Sequence, residues 1–152
     1  MNKRTKYNVN SDKTLRTFNN IVFDSAVEMK FYRDVVLPQF DKGEITYFEL
    51  QKKYELQPKF KSNGENIRAI DYVADFYLEF NDGRVEVIDI KGCPDSIALL
   101  KRRLFLYKYP ELTYKWVCWS GIDGGWCDYF YVKKQRAMRK KEKNKSKELK
   151  EC

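Results

Sequence analysis

Histidine is absent from the 152 residues. That removes histidine-dependent hydrolase triads, H-E-x-x-H metalloproteases and nucleases that bind metal through imidazole, since each needs that ring as base or ligand. Cysteine is sparse: Cys93, Cys118, Cys127 and Cys152 form no C-x-x-C pair. With no histidine beside them they make no zinc site, and free thiols in a reducing compartment are expected. No run approaches the roughly 20 apolar residues that span a bilayer, and the opening MNKRTKYNVNSDK has no apolar stretch for a signal peptide. The expected setting is the cytoplasm, with no membrane partner. Chemistry in this chain therefore runs on carboxylates, lysines and tyrosines.

What is present fits one domain with tails, because 43% hydrophobic and 16% aromatic residues supply an ordinary core. The net charge of +8 is unevenly spread. From residue 133 onward ten Lys/Arg face three Asp/Glu, and the first sixteen residues hold five Lys/Arg and one Asp, leaving the body at −3. Basic tails attract phosphate backbones by counterion release without reading sequence; a solvated, merely solubilising extension is the alternative. Lys133, Lys134 and Arg136 head the C-terminal tail and are candidate nucleic-acid contacts.

Residues 1–20 read as a mobile basic arm, 21–132 as the folded domain and 133–152 as a disordered or frayed tail with no apolar face to pack. Within the domain, Val27, Phe31, Tyr32, Val35 and Val36 recur at helical spacing after Asp24 or Ser25, and Pro38 is expected to stop that helix. Residues 45–60 suggest short extended runs, or a short helix and an edge strand, interrupted by Pro58. Residues 70–80 and 84–91, rich in Val, Ile, Phe and Tyr, flank Asn81-Asp82-Gly83 and predict a β-hairpin. Residues 96–109 predict a second helix with Ile97, Leu100, Leu104 and Tyr107 as its apolar stripe. Residues 114–119 and 126–132 predict two further strands around a glycine-rich turn. The helical link after the hairpin should cross over to a parallel neighbour, so the fold class is α/β, a mixed β-sheet flanked by helices in the order αβββαβ.

Asp89 and Lys91 interrupt an apolar strand two residues apart, on one face and roughly 6.5 Å from each other along it. Asp75 interrupts the partner strand in the same manner, and charges inside strands that look like core need partners or a metal. A three-residue turn with Gly83 left-handed pairs Phe80 with Arg84 and sets Asp75 opposite Asp89, with Cβ atoms about 5 Å apart. A two-residue Asp82-Gly83 turn would send the two carboxylates to opposite faces. Hard oxygen ligands favour Mg²⁺ or Mn²⁺, and Lys91 beside the ion could position water or offset developing charge. A plain ion pair of Lys91 with one aspartate, and no metal, is the alternative. Glu86, three residues before Asp89, is expected to face solvent.

A helix with Glu28, a strand with Asp75, then Asp89-Ile90-Lys91 and a following basic helix resemble the PD-(D/E)XK nuclease superfamily, with Ala74-Asp75 in place of Pro-Asp. More closely, Phe23-Asp24-Ser25-x-x-Glu28, Gln57-Pro58-x-Phe60, Tyr72-x-Ala74-Asp75-Phe76, Asp89-Ile90-Lys91-Gly92, Leu104-Phe105 and Tyr109-Pro110 resemble a family of small phage-encoded endonucleases long known only as a domain of unknown function. The resemblance implies a restriction-endonuclease-like core and a Mg²⁺- or Mn²⁺-dependent phosphodiesterase. In it Asp75, Asp89 and the Ile90 carbonyl hold the ion, Lys91 is catalytic, and Glu28 reaches the metal directly or through water. The Ser25-x-x-Glu28 spacing is equally a capping box, in which Glu28 only returns a hydrogen bond to the helix start. The expected partner is DNA, with phage recombination or DNA processing, branched junctions and a homodimer as extensions by analogy. Lys101, Arg102 and Arg103, Lys101 first among them, are candidates to grip the backbone, with Gln57 and Lys59 weaker; an ordinary charged outer face is the alternative for each of the three helix residues. An exonuclease, an RNA-directed nuclease or a non-catalytic nucleic-acid-binding protein on the same fold are the rival functions.

Overall fold

The structure, a computed structural model, describes residues 12–151, with side chains placed through residue 147. Residues 1–11 of the expected arm lie outside the described residues. From Asp12 onward the segment is an ordered element rather than a mobile arm. A 3-10 turn, Lys13–Arg16, is capped by the Asp12 carboxylate accepting the Thr14 N–H at 2.9 Å. A two-stranded ribbon of β1 (Thr17–Phe18) and β2 (Ile21–Val22) follows, closed by Asn19 and Asn20 at φ 50° and 61°. Phe18 and Ile21 pack onto the main core, which is what orders the segment.

Helix α1 (Ala26–Phe31) starts at Ser25, whose hydroxyl accepts the Glu28 N–H at 3.1 Å. It continues without a break through a π-helical turn, Tyr32–Val36, into α2 (Leu37–Asp41). Pro38 therefore does not end the helix: it occupies the first turn of α2, where a missing N–H costs least. Gly43, at φ 74°, ends it, donating its N–H to the Phe40 carbonyl at 2.9 Å.

The expected short runs over residues 45–60 are instead one 13-residue strand, β3 (Ile45–Gln57), paired antiparallel along β6 (Ile70–Phe80). Between them rises a small arm, β4 (Phe60–Ser62) and β5 (Glu65–Ile67), turned by Asn63-Gly64 at φ 48° and 81°. Asn-Gly with both residues at positive φ is the type I′ geometry that matches strand twist. Strand β7 (Val85–Ile90) pairs with β6 through the three-residue loop: Phe80 N–H donates to the Arg84 carbonyl at 2.9 Å, and Gly83 sits at φ 85°. Helix α3 (Ser96–Lys108), capped by Asp95, carries the chain to β8 (Thr113–Ser120), parallel to β7. Strand β9 (Gly125–Asp128) closes an α/β fold whose five-stranded mixed sheet has the order β3-β6-β7-β8-β9. No helix among the described residues is long and apolar enough to cross a membrane.

The expected final strand over residues 126–132 stops at Asp128, and α4 runs from Tyr129 to Glu151. The region read as a featureless tail is thus a helix, and its root does pack. Val132 is fully buried, Tyr129 nearly so, and both join Trp116 and Cys118 under β8. Farther along, Arg139 makes a two-pronged ion pair with Asp123, at 2.7 and 3.0 Å.

Two larger clusters cover opposite faces of β7. Ile88 and Ile90 pack with Phe31, Tyr32 and Val36 of the first helix, while Val87 packs with Phe105 of α3 and with Tyr54 and Tyr72. Of the stripe expected on α3 only Leu104 packs inward: Ile97 and Tyr107 are 62% and 88% exposed, and Leu100 is exposed. Phe105 enters the core instead, its ring 4.5–5.4 Å from those of Tyr54, Tyr72, Tyr109 and Tyr114. Glu86 is not solvent-facing either. It is buried and neutralised by Lys115 at 2.6 Å and Arg84 at 3.2 Å.

Candidate functional site

Strand alternation fails midway along the β3–β6 pair. In β6, Tyr72 and Ala74 pack in the cluster around Phe105, whereas Phe76 and Leu78, at the same parity, pack in the cluster around Phe31. In β3, Leu50 belongs to the first-helix side and Tyr54 and Leu56 to the α3 side. Both strands therefore exchange faces across the position that joins Gln51 to Asp75. Gln51 takes up the irregularity with φ 54°, a left-handed conformation that costs a non-glycine residue about 1–2 kcal/mol.

At that break β6 and β7 part. Their ladder ends at Phe76 opposite Ile88; one position on, Asp75 and Asp89 would face each other. Instead of a backbone carbonyl, the Asp75 carboxylate accepts the Ile90 N–H, at 2.7 Å through Oδ2. Its other oxygen receives the Gln51 side-chain amide at 3.4 Å. Asp89 is almost wholly buried and has the Lys91 ammonium 2.5 Å from Oδ2, at an angle too poor for a hydrogen bond. Lys91 donates its backbone N–H to Val117 of β8 at 2.8 Å. Because N–H and C=O of one residue in an extended strand point to the same edge, the Ile90 carbonyl lies on the Asp75 side.

Glu28 enters from α1 with one carboxylate oxygen engaged at the helix start and the other unpaired. Oε1 accepts the Ser25 hydroxyl at 2.9 Å, completing the capping contact, while Oε2 is buried with no partner. The residue is 8% exposed and lines, with Asp24, Gln51 and Asp75, a cleft of about 50 Å³. A buried carboxylate oxygen without a donor is expensive unless it is protonated or meets a cation.

Electrostatics mark the same place. Burial first, then the charges of Asp89 and Glu28, push the Asp75 carboxyl up to about 9, against the smaller opposing effect of the Ile90 N–H. The nearness of the Asp89 carboxylate thus favours a proton on Asp75. Burial pushes Glu28 up to about 7, with the Ser25 hydroxyl opposing and Asp24 and Asp89 adding to the rise. Acids crowded enough to raise Asp75 and Glu28 toward protonation are an arrangement a divalent cation relieves. Burial and then the Asp89 charge also raise the Tyr72 and Tyr114 phenols, which therefore supply no base near neutrality.

Among the described residues no three acid or thiol side chains form a ready-made metal cage. Mg²⁺ does not require one: it keeps several waters and binds through one or two carboxylates plus substrate phosphate. Asp75, Asp89 and the Ile90 carbonyl are an all-oxygen set of that kind, and Glu28 Oε2 is a buried acceptor still without a donor. The residues present thus fit Mg²⁺ or Mn²⁺.

The other candidates are dispersed. Lys101 donates its ammonium to the Asp71 carbonyl at 2.7 Å, tying α3 to β6. Arg102 lies over Phe130 and Trp116, 4.5 and 5.6 Å from their ring centres. Lys59 stands at the base of the β4–β5 arm, and Lys133, Lys134 and Arg136 are exposed on the first turns of α4. Gln51 was missed: as one residue of Gln51-Lys52-Lys53 it looks like polar surface, and a positive φ leaves no mark in residue identity. Cys93, Cys118 and Cys127 are free thiols, and Cys152 lies outside the described residues.

No curated protein matches this chain. A family model described as "Protein of unknown function (DUF1064)" matches residues 4–122, from the N-terminal segment through β8, and the chain belongs to that family.

Proposed function

We propose that this protein is a metal-dependent DNA endonuclease, built on a restriction-endonuclease-like version of its α/β core. The observation that carries the reading is the meeting of Asp75 and Asp89 from two parting strands, with the Lys91 ammonium 2.5 Å from Asp89. Bound Mg²⁺ would supply Lewis acidity toward a phosphate oxygen and lower the pKa of water. Asp75, Asp89 and the Ile90 carbonyl would hold it, and Glu28, with one oxygen free, would accept from its water shell. Lys91, fixed at its backbone by Val117, extends its amine to the edge of the carboxylates. There it orients the attacking water and offsets the charge that grows on the phosphoryl oxygens. A bound phosphate would draw Lys91 away from Asp89 and complete the site. Phage recombination or DNA processing, acting on branched DNA as a homodimer in the host cytoplasm, is the extension the resemblance suggests.

One observation favours a second reading. The close Lys91–Asp89 pair is also what a structural ion pair would show, leaving a nucleic-acid-binding protein without catalysis. The two separate by incubating supercoiled, linear, single-stranded and four-way-junction DNA, and an RNA, with Mg²⁺, Mn²⁺ or chelator. Cleavage that needs the cation, and is lost by at least a hundredfold in Asp89→Asn while binding persists, is expected. Undiminished cleavage by that variant, or none by the parent on any DNA, removes the endonuclease proposal.

A further inference from the structure

A second open groove lies away from the carboxylates. It lies along the β4–β5 arm, about 580 Å³, lined by Lys59, Phe60, Lys61, Asn66, Ile67 and Arg68. All three cations there are exposed, and among the described residues none of them has an ion-pair partner. The only acid of the arm is Glu65, beside the turn. Phe60 is 47% exposed and stacks on no other ring of the described residues; it pairs across the arm with Ile67, so the two present one apolar patch in the groove that the cations also line. The Asn63-Gly64 turn fixes the register of the arm.

Its placement matters as much as its composition. Strand β6 leaves the arm at Ile70 and reaches Asp75 five residues later, about 17 Å at 3.4 Å per residue. Strand β7 is antiparallel to β6, so its exit through Ile90 to Lys91 heads toward the arm. Arm and carboxylates therefore share one end of the sheet, in reach of one bound strand. A positive groove on a body of net charge −3 is a local attractor for a polyanion. An exposed aromatic ring in a groove lined by cations adds something a stacked duplex cannot use, whereas any unpaired base offers it a face.

We propose that the β4–β5 arm is a binding site for an unpaired nucleic-acid strand, with Lys59, Lys61 and Arg68 on its phosphates and Phe60 against a base. The inference rests on the phosphodiesterase reading for its choice of ligand and adds to it a substrate class, nucleic acid with a single-stranded segment beside the cleavage point. A second copy of this chain fits the arm poorly, because a two-fold contact would set its unpaired cations against themselves.

The test is fluorescence anisotropy of the full chain in chelator, so that binding is read without cleavage. The probes are a labelled single-stranded oligodeoxynucleotide, its blunt duplex, and that duplex carrying a single-stranded flap. The combined variant Lys59→Gln, Lys61→Gln, Arg68→Gln should lower the slope of log affinity against log salt by about 2 for the single strand, from about 0.7 per lost phosphate contact. Phe60→Ala should weaken the single strand and the flap about 5- to 100-fold and leave the blunt duplex unchanged, as expected for one lost base stack. If that variant lowers the thermal midpoint, Phe60→Leu, which keeps bulk and removes the ring, carries the same expectation. Parental binding of all probes by both variants, or an equal loss on the blunt duplex, overturns the proposal. So does light scattering in which Phe60→Ala only abolishes self-association. Because no catalysis enters, an inactive parent would count against the endonuclease reading and leave this result standing.

Discussion

Gln51 holds a left-handed backbone in the middle of a 13-residue strand and offers its amide to Asp75 at 3.4 Å. Such strain persists where something else depends on it, here the exchange of faces that opens β6 from β7. Gln51→Gly should relieve the left-handed penalty and, after glycine's added chain entropy, stabilise the fold by about 0.5–1 kcal/mol. Metal-dependent cleavage should fall at least several-fold in the same variant, because Asp75 keeps the Ile90 N–H but loses the amide that orients its other oxygen. Thermal unfolding and single-turnover assays would show the two changes in opposite directions; a gain in stability with unchanged cleavage would make Gln51 purely architectural. Asp75, Asp89 and Lys91 were legible in the sequence because a charge that interrupts an apolar strand needs an explanation. Glu28 was legible only as an ambiguity, and its two oxygens turn out to serve the cap and the cleft separately.

Among the elements, the hairpin was the most legible, since Asn81-Asp82-Gly83 between two β-rich runs leaves few registers, and the glycine at φ 85° selects one. Helix α3 misled because its core-facing surface includes Lys101 and Arg102, whose polar ends satisfy Asp71 and the rings of Phe130 and Trp116 while Phe105 enters the core. The Asn63-Gly64 signal was there to be read, yet nothing local announced that the arm interrupts a single long hairpin. Helix α4 looked like a tail because its buried residues, Tyr129 and Val132, come before residue 133, and beyond them the ion pair of Arg139 with Asp123 makes no periodic pattern. The Asp123 carboxyl is held down to about 2, first by the Arg139 guanidinium and then by the Ser120 hydroxyl. A depressed carboxyl contributes its stabilisation above its ordinary range near 4 and loses it as pH falls through about 2. Arg139→Ala should therefore return the Asp123 titration toward 4 in a carbon-detected NMR series and speed amide exchange beyond residue 133. An unchanged titration would mean that Ser120 alone holds the carboxylate.

For the molecule as a whole, the crowded acids make stability depend on pH and cation together. Asp75 and Glu28, raised to about 9 and 7, hold protons in the folded state that the unfolded chain has already released above about 4. The unfolded chain thus binds fewer protons over that window, and stability falls as pH rises from about 4 to 9. Urea midpoints in chelator should decline across this range, and Asp75→Asn should flatten the decline. Excess Mg²⁺ should stabilise the parent increasingly with pH, since carboxylates must lose protons to bind it. Midpoints that ignore pH in the parent, or a Mg²⁺ effect that shrinks as pH rises, would contradict the coupling of these acids to a cation.

By itself the sequence determined the chemistry that is open to this protein and the class of its fold. The missing imidazole leaves carboxylates and lysine, and alternation with turn residues specifies a mixed sheet with a crossover helix. Those are properties of residue identity and of short-range spacing. Only the tertiary structure decided that Glu28 keeps one oxygen unpaired, that Gln51 supports Asp75, and that the basic arm and the carboxylates share one end of the sheet. Each depends on which distant segments pack together and on a backbone angle that several residue types could adopt, so no local pattern in the chain records it.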